Sequence, residues 1–366
     1  DNSDLPSSGT FGVALRTAVP IGLAGLSGLI AERSGTINIG LDGMMVMGTI
    51  FAGWWGWEYG PWMALLGGII GGMLGGLVMS VATTTFGVNH IVAGVAINLI
   101  APGVARFMAS ELFVGVQGGS VTSSPGNSGS MGSFTMPFLS GGDLFGWTTP
   151  DILGWFEDTG WFMIADAAGF LKGMTTGITW DVMIAVGLFF GMAYFLWHTP
   201  LGLRLRFSGE RPSAAASLGV SVHKMRYIGM AISGGLAGMG GAVLVLFANR
   251  YQENQVAGRG FLGLATMIFG NWMPAGTAAG AGLFGYASGE LATIANLSLD
   301  NATVTGRIYT GALMGYNYNC TIKQCSSTGS VSATSYVGGL VGRSQAFSPV
   351  SISNCYSTSA VSGNGG

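Results

Sequence analysis

The sequence predicts an all-α polytopic membrane protein with broken helices, followed by a small C-terminal segment of β-solenoid-like repeats. Three observations predict it. Of 366 residues only 14 are Lys or Arg and 16 are Asp or Glu, a charged fraction of 8%, against roughly 25% in an ordinary soluble domain. Mean hydropathy is +0.52, and 65 Gly with 19 Met suit helices packed in lipid, where glycine permits close backbone approach. After about Ala292 the composition turns to Ser, Thr, Asn, Tyr and Cys, which cannot continue a lipid-facing helix.

About seven stretches approach the length that crosses a bilayer core: roughly 11–31, 37–57, 61–82, 88–110, 180–198, 227–248 and 260–293. The third and sixth carry no charge. In the last, Asn271, Trp272, Met273 and Pro274 interrupt the apolar run, so a half-helix followed by a full helix is expected. Orientation follows from basic residues, which stay on the cytoplasmic side of short loops. Arg204, Arg206, Arg211, Lys224 and Arg226 are opposed only by Glu210 between positions 199 and 226, which places that loop in the cytoplasm. Between 111 and 181, Glu111, Asp143, Asp151, Glu157, Asp158, Asp166 and Asp181 face a lone Lys172, so this long segment is expected outside. It opens with a Gly/Ser-rich stretch, 115–133, that lacks apolar periodicity. Its Trp147, Trp155, Phe156, Trp161 and Phe162 are either interfacial aromatics or a docking surface for an external protein. The chain starts at Asp1 without Met or a signal-peptide pattern, so a missing beginning is expected.

Polar groups inside apolar spans need a partner, a cavity or water. The densest case runs from Glu32 to Gly43. Either Glu32 and Arg33 end one helix and Asp42 caps the next, or Gly35, Gly40 and Gly43 break the helix at membrane depth and turn Asn38 and backbone amides toward a substrate path. Asn89, His90 and Asn98 form a second group; on an ideal helix Asn89 and Asn98 lie about 180° apart and cannot both face one lumen. Asn271 is a third candidate, for contact with solute or for satisfying carbonyls freed at the break.

Enzymatic chemistry has little support. His90, His198 and His223 form no HExxH pair, and no GxxxxGK[ST] phosphate loop occurs, so no catalytic or metal site and no cofactor is expected, and ATP hydrolysis would belong to another chain. A net charge of -2 gives no electrostatic basis for nucleic-acid binding. No relay of carboxylates or His suggests an ion-coupled carrier.

Four ordered blocks carry a resemblance: Glu32–Gly48 (ERSGTINIGLDGMMVMG), Phe86–Gly103 (FGVNHIVAGVAINLIAPG), Thr199–Ala242 and Ala257–Gly285. Together they resemble permease subunits of ABC importers for nucleosides and simple sugars, within the branched-chain amino acid and monosaccharide permease superfamily, and the acidic outer segment looks like the actinobacterial form. The resemblance covers about residues 11–291. It implies a multi-pass protein of the bacterial cytoplasmic membrane working with a second homologous permease, ATP-binding subunits and an external substrate-binding lipoprotein. It also implies that the stretch Gly209–Gly219 holds the short coupling helix that docks into the ATPase, with Glu210, Arg211, Ala214, Ala215 and Gly219 as its residues. The chemistry fits: small Ala side chains allow close packing, Pro212 suits a first helical turn and Gly219 can end it in the left-handed conformation. By motif position and helix interruption, the pathway residues are Asn38, Asp42, Asn89 and Asn271.

Beyond 292 a repeat appears. Tyr309–Gly315 recurs as Tyr336–Gly342, and Thr321–Thr328 as Ser351–Thr358. These units resemble GLUG repeats of bacterial surface proteins, and roughly two are read. Cys325 and Cys355 take equivalent positions, as stacked core residues rather than a metal site. The organisation is then a permease domain over 1–292 and a tail over 293–366, either a composite joining or a fusion that displays a surface module. The alternative function is a membrane-tethered adhesion or interaction protein whose helices anchor the repeats.

Overall fold

The computed structural model describes residues 7–136, 139–144, 147–158, 164–288, 293–295, 298–305, 308–318, 321–323, 325–333, 335–345 and 352–363. By its contacts the chain divides into one unit over 15–285 and another that joins 1–14 to 286–366.

Twelve helices carry the first part: α1 (Ser7–Arg33), α2 (Leu41–Tyr59), α3 (Pro61–Ser80), α4 (His90–Leu112), α5 (Ile152–Asp158), α6 (Ile164–Thr175), α7 (Trp180–His198), α8 (Pro200–Glu210), α9 (Pro212–Ser217), α10 (Val222–Ala248), α11 (Arg259–Phe269) and α12 (Pro274–Ser288). Among the described residues five are long and apolar enough to cross a membrane: α1 from Ala14, α3 with its π-helical extension to Thr85, α4, α7 and α10. The expected span 37–57 begins only at Leu41, because residues 34–40 are not helical. The expected interruption near 271 divides the last stretch into α11, of 11 residues, and α12, of 15.

Helices α2, α3 and α10 form the densest packing of the unit, and glycine makes it possible. Gly68, Gly72 and Gly76 on α3 face Gly234 and Gly238 on α10. A Cβ on Gly238 would lie 2.7 Å from the Gly72 Cα, and Gly48 of α2 closes on the same residue. Three backbones thus meet at Gly238. In lipid, where apolar side chains gain little by leaving the solvent, such close approach supplies the dispersion contacts that hold helices together. The large buried side chains, among them Leu23, Leu26, Leu29, Met44, Ile50 and Met79, surround this contact. The exposed apolar residues of α4, such as Val92, Leu99 and Phe107, match a lipid-facing surface.

The acidic segment after α4 is irregular where its Gly/Ser composition predicts it, yet it is fastened down. The Ser124 N–H donates to the Tyr251 carbonyl (3.1 Å), Asn127 N–H to Asn249 (2.9 Å) and Ser128 N–H to Gly56 (3.0 Å), tying residues 124–128 to the ends of α10 and α2. Farther on, Asp151 caps α5 by accepting the Gly154 N–H at 2.7 Å and pairs with Lys172 of α6 at 2.8 Å. Of the aromatic group, Trp155 is exposed and meets Phe156 edge-on at 4.9 Å; Trp161 and Phe162 lie outside the described residues.

In the second unit the strands pair in parallel, one repeat apart. Residues 298–305 pair with 326–333, which pair in turn with 356–357 and 360–363. Likewise 293–295 pair with 321–323, and these with 352–353. Three successive passes are therefore in register, one more than the repeat spacing suggests. Cys325 is buried, and its N–H lies 3.4 Å from the Cys355 Sγ, as expected for equivalent positions in neighbouring passes. Cys320 lies outside the described residues.

Two outcomes follow from these contacts. Gly238→Val forces side-chain atoms into the backbones of α2 and α3, a change of the kind that costs about 1–3 kcal/mol in a well-packed core; detergent-solubilised protein should unfold at a lower Tm, whereas Gly187→Val on α7, where a Cβ meets nothing within 4 Å, should leave Tm in place. At Asp151, burial favours the neutral acid, but the Lys172 ammonium and the Gly154 N–H outweigh it and hold the carboxyl below the usual carboxylate range. A lowered folded pKa gives stability that is complete above the unfolded value of about 3.9 and is lost as pH falls through the folded one. Asp151→Asn should therefore speed amide exchange in α5 and α6 at neutral pH, and the difference from wild type should shrink to nothing in strong acid.

Candidate functional site

Helix α1 ends in a Schellman motif. Gly35 takes φ +87°, its N–H reaches the Glu32 carbonyl at 3.0 Å and the Thr36 N–H reaches Ala31 at 3.1 Å. The chain then runs without helical bonds to Gly40. Backbone groups left open inside a membrane protein must find partners, and here side chains of α4 supply them. The His90 Nδ1 accepts the Ile37 N–H at 3.2 Å. Asn98 donates to the Ile39 carbonyl at 2.9 Å and accepts the Gly43 N–H at 2.8 Å. Asn38 folds back to accept the Gly40 N–H at 3.0 Å and donates to the Ser233 Oγ at 2.9 Å; Ser27 completes this buried group from α1. Gly43 permits the approach of α4, since a Cβ there would lie 2.7 Å from the Ile97 carbonyl oxygen.

Helix α2 therefore starts inside the bundle, and α11 starts beside it. After Gly258, at φ +80°, the Gly260 N–H donates to the Asp42 Oδ1 at 3.1 Å. A Cβ at Gly260 would collide with the Asp42 backbone, so the two helix starts are in van der Waals contact. Each start presents the positive end of its helix dipole, and the Asp42 carboxylate sits between them with Arg259 nearby.

Of the four pathway residues, Asn38 and Asp42 come together at this break. Asn38 is fully buried and Asp42 half-buried. Asn89 is exposed and caps α4 by accepting the Ile91 N–H at 2.8 Å. Asn271 lies at the far end of α11, exposed, at φ 50°. Sequence reasoning missed Asn98, Gly260 and Ser233 as ligands of the break. Asn98 alone carried a signal, as the polar residue of α4 set opposite Asn89.

The basic loop is mostly helical, which was not foreseen: α8 precedes the short α9. Within 209–219 Pro212 occupies the first turn of α9, Ala215 is buried, and Gly219 takes φ +80°. Arg211 is the residue between the two helices, and Glu210 and Ala214 lie on either side of it. Among the described residues no group of His, Cys, Asp and Glu could hold a metal ion.

The family of branched-chain amino acid transport system permease components matches residues 12–314, and the GLUG motif matches 306–332 and 333–362. The guanosine ABC transporter permease protein NupQ of Bacillus subtilis is 33% identical over 278 residues, 74% of this chain and 77% of that protein. The nucleoside ABC transporter permease protein NupC of Lactococcus lactis subsp. cremoris is 32% identical over 277 residues, 73% and 77% of the two chains. A putative glucose ABC transporter permease protein of Haloferax volcanii, TsgC13, is 28% identical over 292 residues, 76% and 75%. No solved structure gives a significant match. With the family matched over most of its length, the chain belongs to the branched-chain amino acid transport system permease components, the integral membrane permease subunits of ABC importers.

Proposed function

We propose that this permease moves nucleosides, or simple sugars as the second reading, inward past the paired starts of α2 and α11. The observation that carries the reading is the meeting of two helix N-termini inside the bundle around Asp42 and Gly260. Paired helix starts offer the positive ends of two dipoles and a half-buried carboxylate to a neutral solute rich in hydroxyl groups. The names of the guanosine, nucleoside and glucose relatives support the substrate class. Asn38 holds the shape of the break, Asp42 faces the solute, Asn89 sets the start of α4, and Asn271 lies where the path leaves α11.

Energy comes from ATP-binding subunits on the cytoplasmic side, which grip the loop around α9 through Glu210, Arg211, Ala214, Ala215 and Gly219. A second homologous permease completes the channel, and an external lipoprotein delivers solute to the acidic outer segment. The permease domain occupies 1–292, and the repeats over 293–366 are a separate module.

Labelled guanosine and glucose, offered to vesicles holding the complete importer, decide between the two substrates, and uptake of neither overturns the reading. Ala214→Trp and Glu210→Arg should abolish uptake and co-purification of the ATP-binding subunits while external solute capture persists; wild-type transport by both variants would refute the docking role. Deleting 293–366 should leave ATPase association intact, whereas its loss would favour a protein whose helices serve the repeats.

A further inference from the structure

The polar groups not used at the break gather at the other end of α11. There Glu32 and Arg33, the last residues of α1, meet Trp272 in the turn between α11 and α12. Arg33 donates to the Trp272 carbonyl at 2.9 Å, and the Trp272 indole N–H donates to the Glu32 carboxylate. Arg33 also lies 3.7 Å from Glu210, and both Arg33 and Arg206 stand over the Trp197 ring, at 5.7 and 5.2 Å from its centroid. Together these residues line a cavity of about 590 Å³.

Two further facts give this cluster a mechanical meaning. Asn271 and Trp272 both have positive φ, 50° and 52°, a region that bulky side chains adopt only when their surroundings hold them there. The turn's own N–H groups bond back to Ile268 and Met267, and at Trp272 Glu32 and Arg33 add a side-chain hold. In addition, a Cβ on Gly209 would lie 2.8 Å from the Gly35 nitrogen, so the segment leading into α9 rests on the end cap of α1. The ion pair to Glu210 is a weak link, because Glu210 is 65% exposed. The closer links are the backbone contact at Gly35 and Gly209 and the two hydrogen bonds on Trp272.

We propose that Glu32 and Arg33 form a latch that ties the segment entering α9 to the Asn271–Trp272 turn, so that movement of that segment resets the break between α11 and α12. They are positioning residues, acting through the turn on the helix whose other end carries Gly260 against Asp42. Displacement of α9 releases the strained turn, α11 shifts along its axis, and the paired helix starts separate. The inference rests on the docking of ATP-binding subunits at α9.

The test uses the complete importer reconstituted with its ATP-binding subunits and binding protein. Trp272→Phe keeps the ring and removes the indole N–H; Arg33→Lys keeps the charge and removes the planar fork. Each should lower uptake about ten-fold while basal ATP hydrolysis and co-purification of the ATP-binding subunits stay within about two-fold of wild type, the signature of a lost coupling term. Hydrolysis should also lose its stimulation by loaded binding protein. Wild-type uptake by both variants would overturn the latch, as would loss of co-purification, which would make these residues part of the docking surface. Failure of the docking reading looks different: Ala214→Trp would then keep its ATP-binding subunits.

Discussion

Contact between three backbones at Gly238 is the constraint on which the remaining structure depends. Because α2, α3 and α10 touch without intervening side chains, their relative positions are fixed, and α10 presents Ser233 at a fixed depth. From there the buried Ser27, Ser233 and Asn38 group holds the extended residues 34–40, and the start of α2 follows. Helix α11 is only three turns long, yet Gly260 and Gly263 bring its backbone against Asp42 and Gly25.

The non-helical stretch between α1 and α2 leaves backbone groups without helical partners, and few side chains satisfy them. A single Asn98 satisfies a carbonyl before α2 and an N–H within its first turn. His90 takes one further N–H. Each of these contacts couples α4 to α2 across more than fifty positions of sequence, so the break is stable only within the assembled bundle. A packed apolar core could not do the same, since it offers no acceptors.

Much of this was legible in the sequence. The glycines at 35, 40 and 43 marked the break; Pro212 and Gly219 set the limits of a short helix, and Pro274 marked the start of α12. These are local signals, each fixed by one residue's own backbone preference. What remained hidden depends on partners distant in the chain. That Asn38 would be buried is decided by its bond to Ser233, and that Trp272 would be clamped is decided by Glu32 and Arg33. Helix α8 was unforeseen for another reason: its arginines identified a loop by charge, and charge reports the side of the membrane, not the backbone conformation. In the tail the repeat length was visible, but the earliest pass, 293–305, lacks the motif and emerged only from its pairing.

The hydrogen bonds that fasten residues 124–128 to the ends of α2 and α10 have a consequence outside transport. A run of glycine and serine ordinarily gives proteases an easy substrate, because it can enter their clefts in extended form. Here three consecutive anchor points would have to be stripped before such a segment could be drawn out. Cleavage would thus demand local unfolding, so the composition that looks most vulnerable to digestion is shielded by where its amides are bonded.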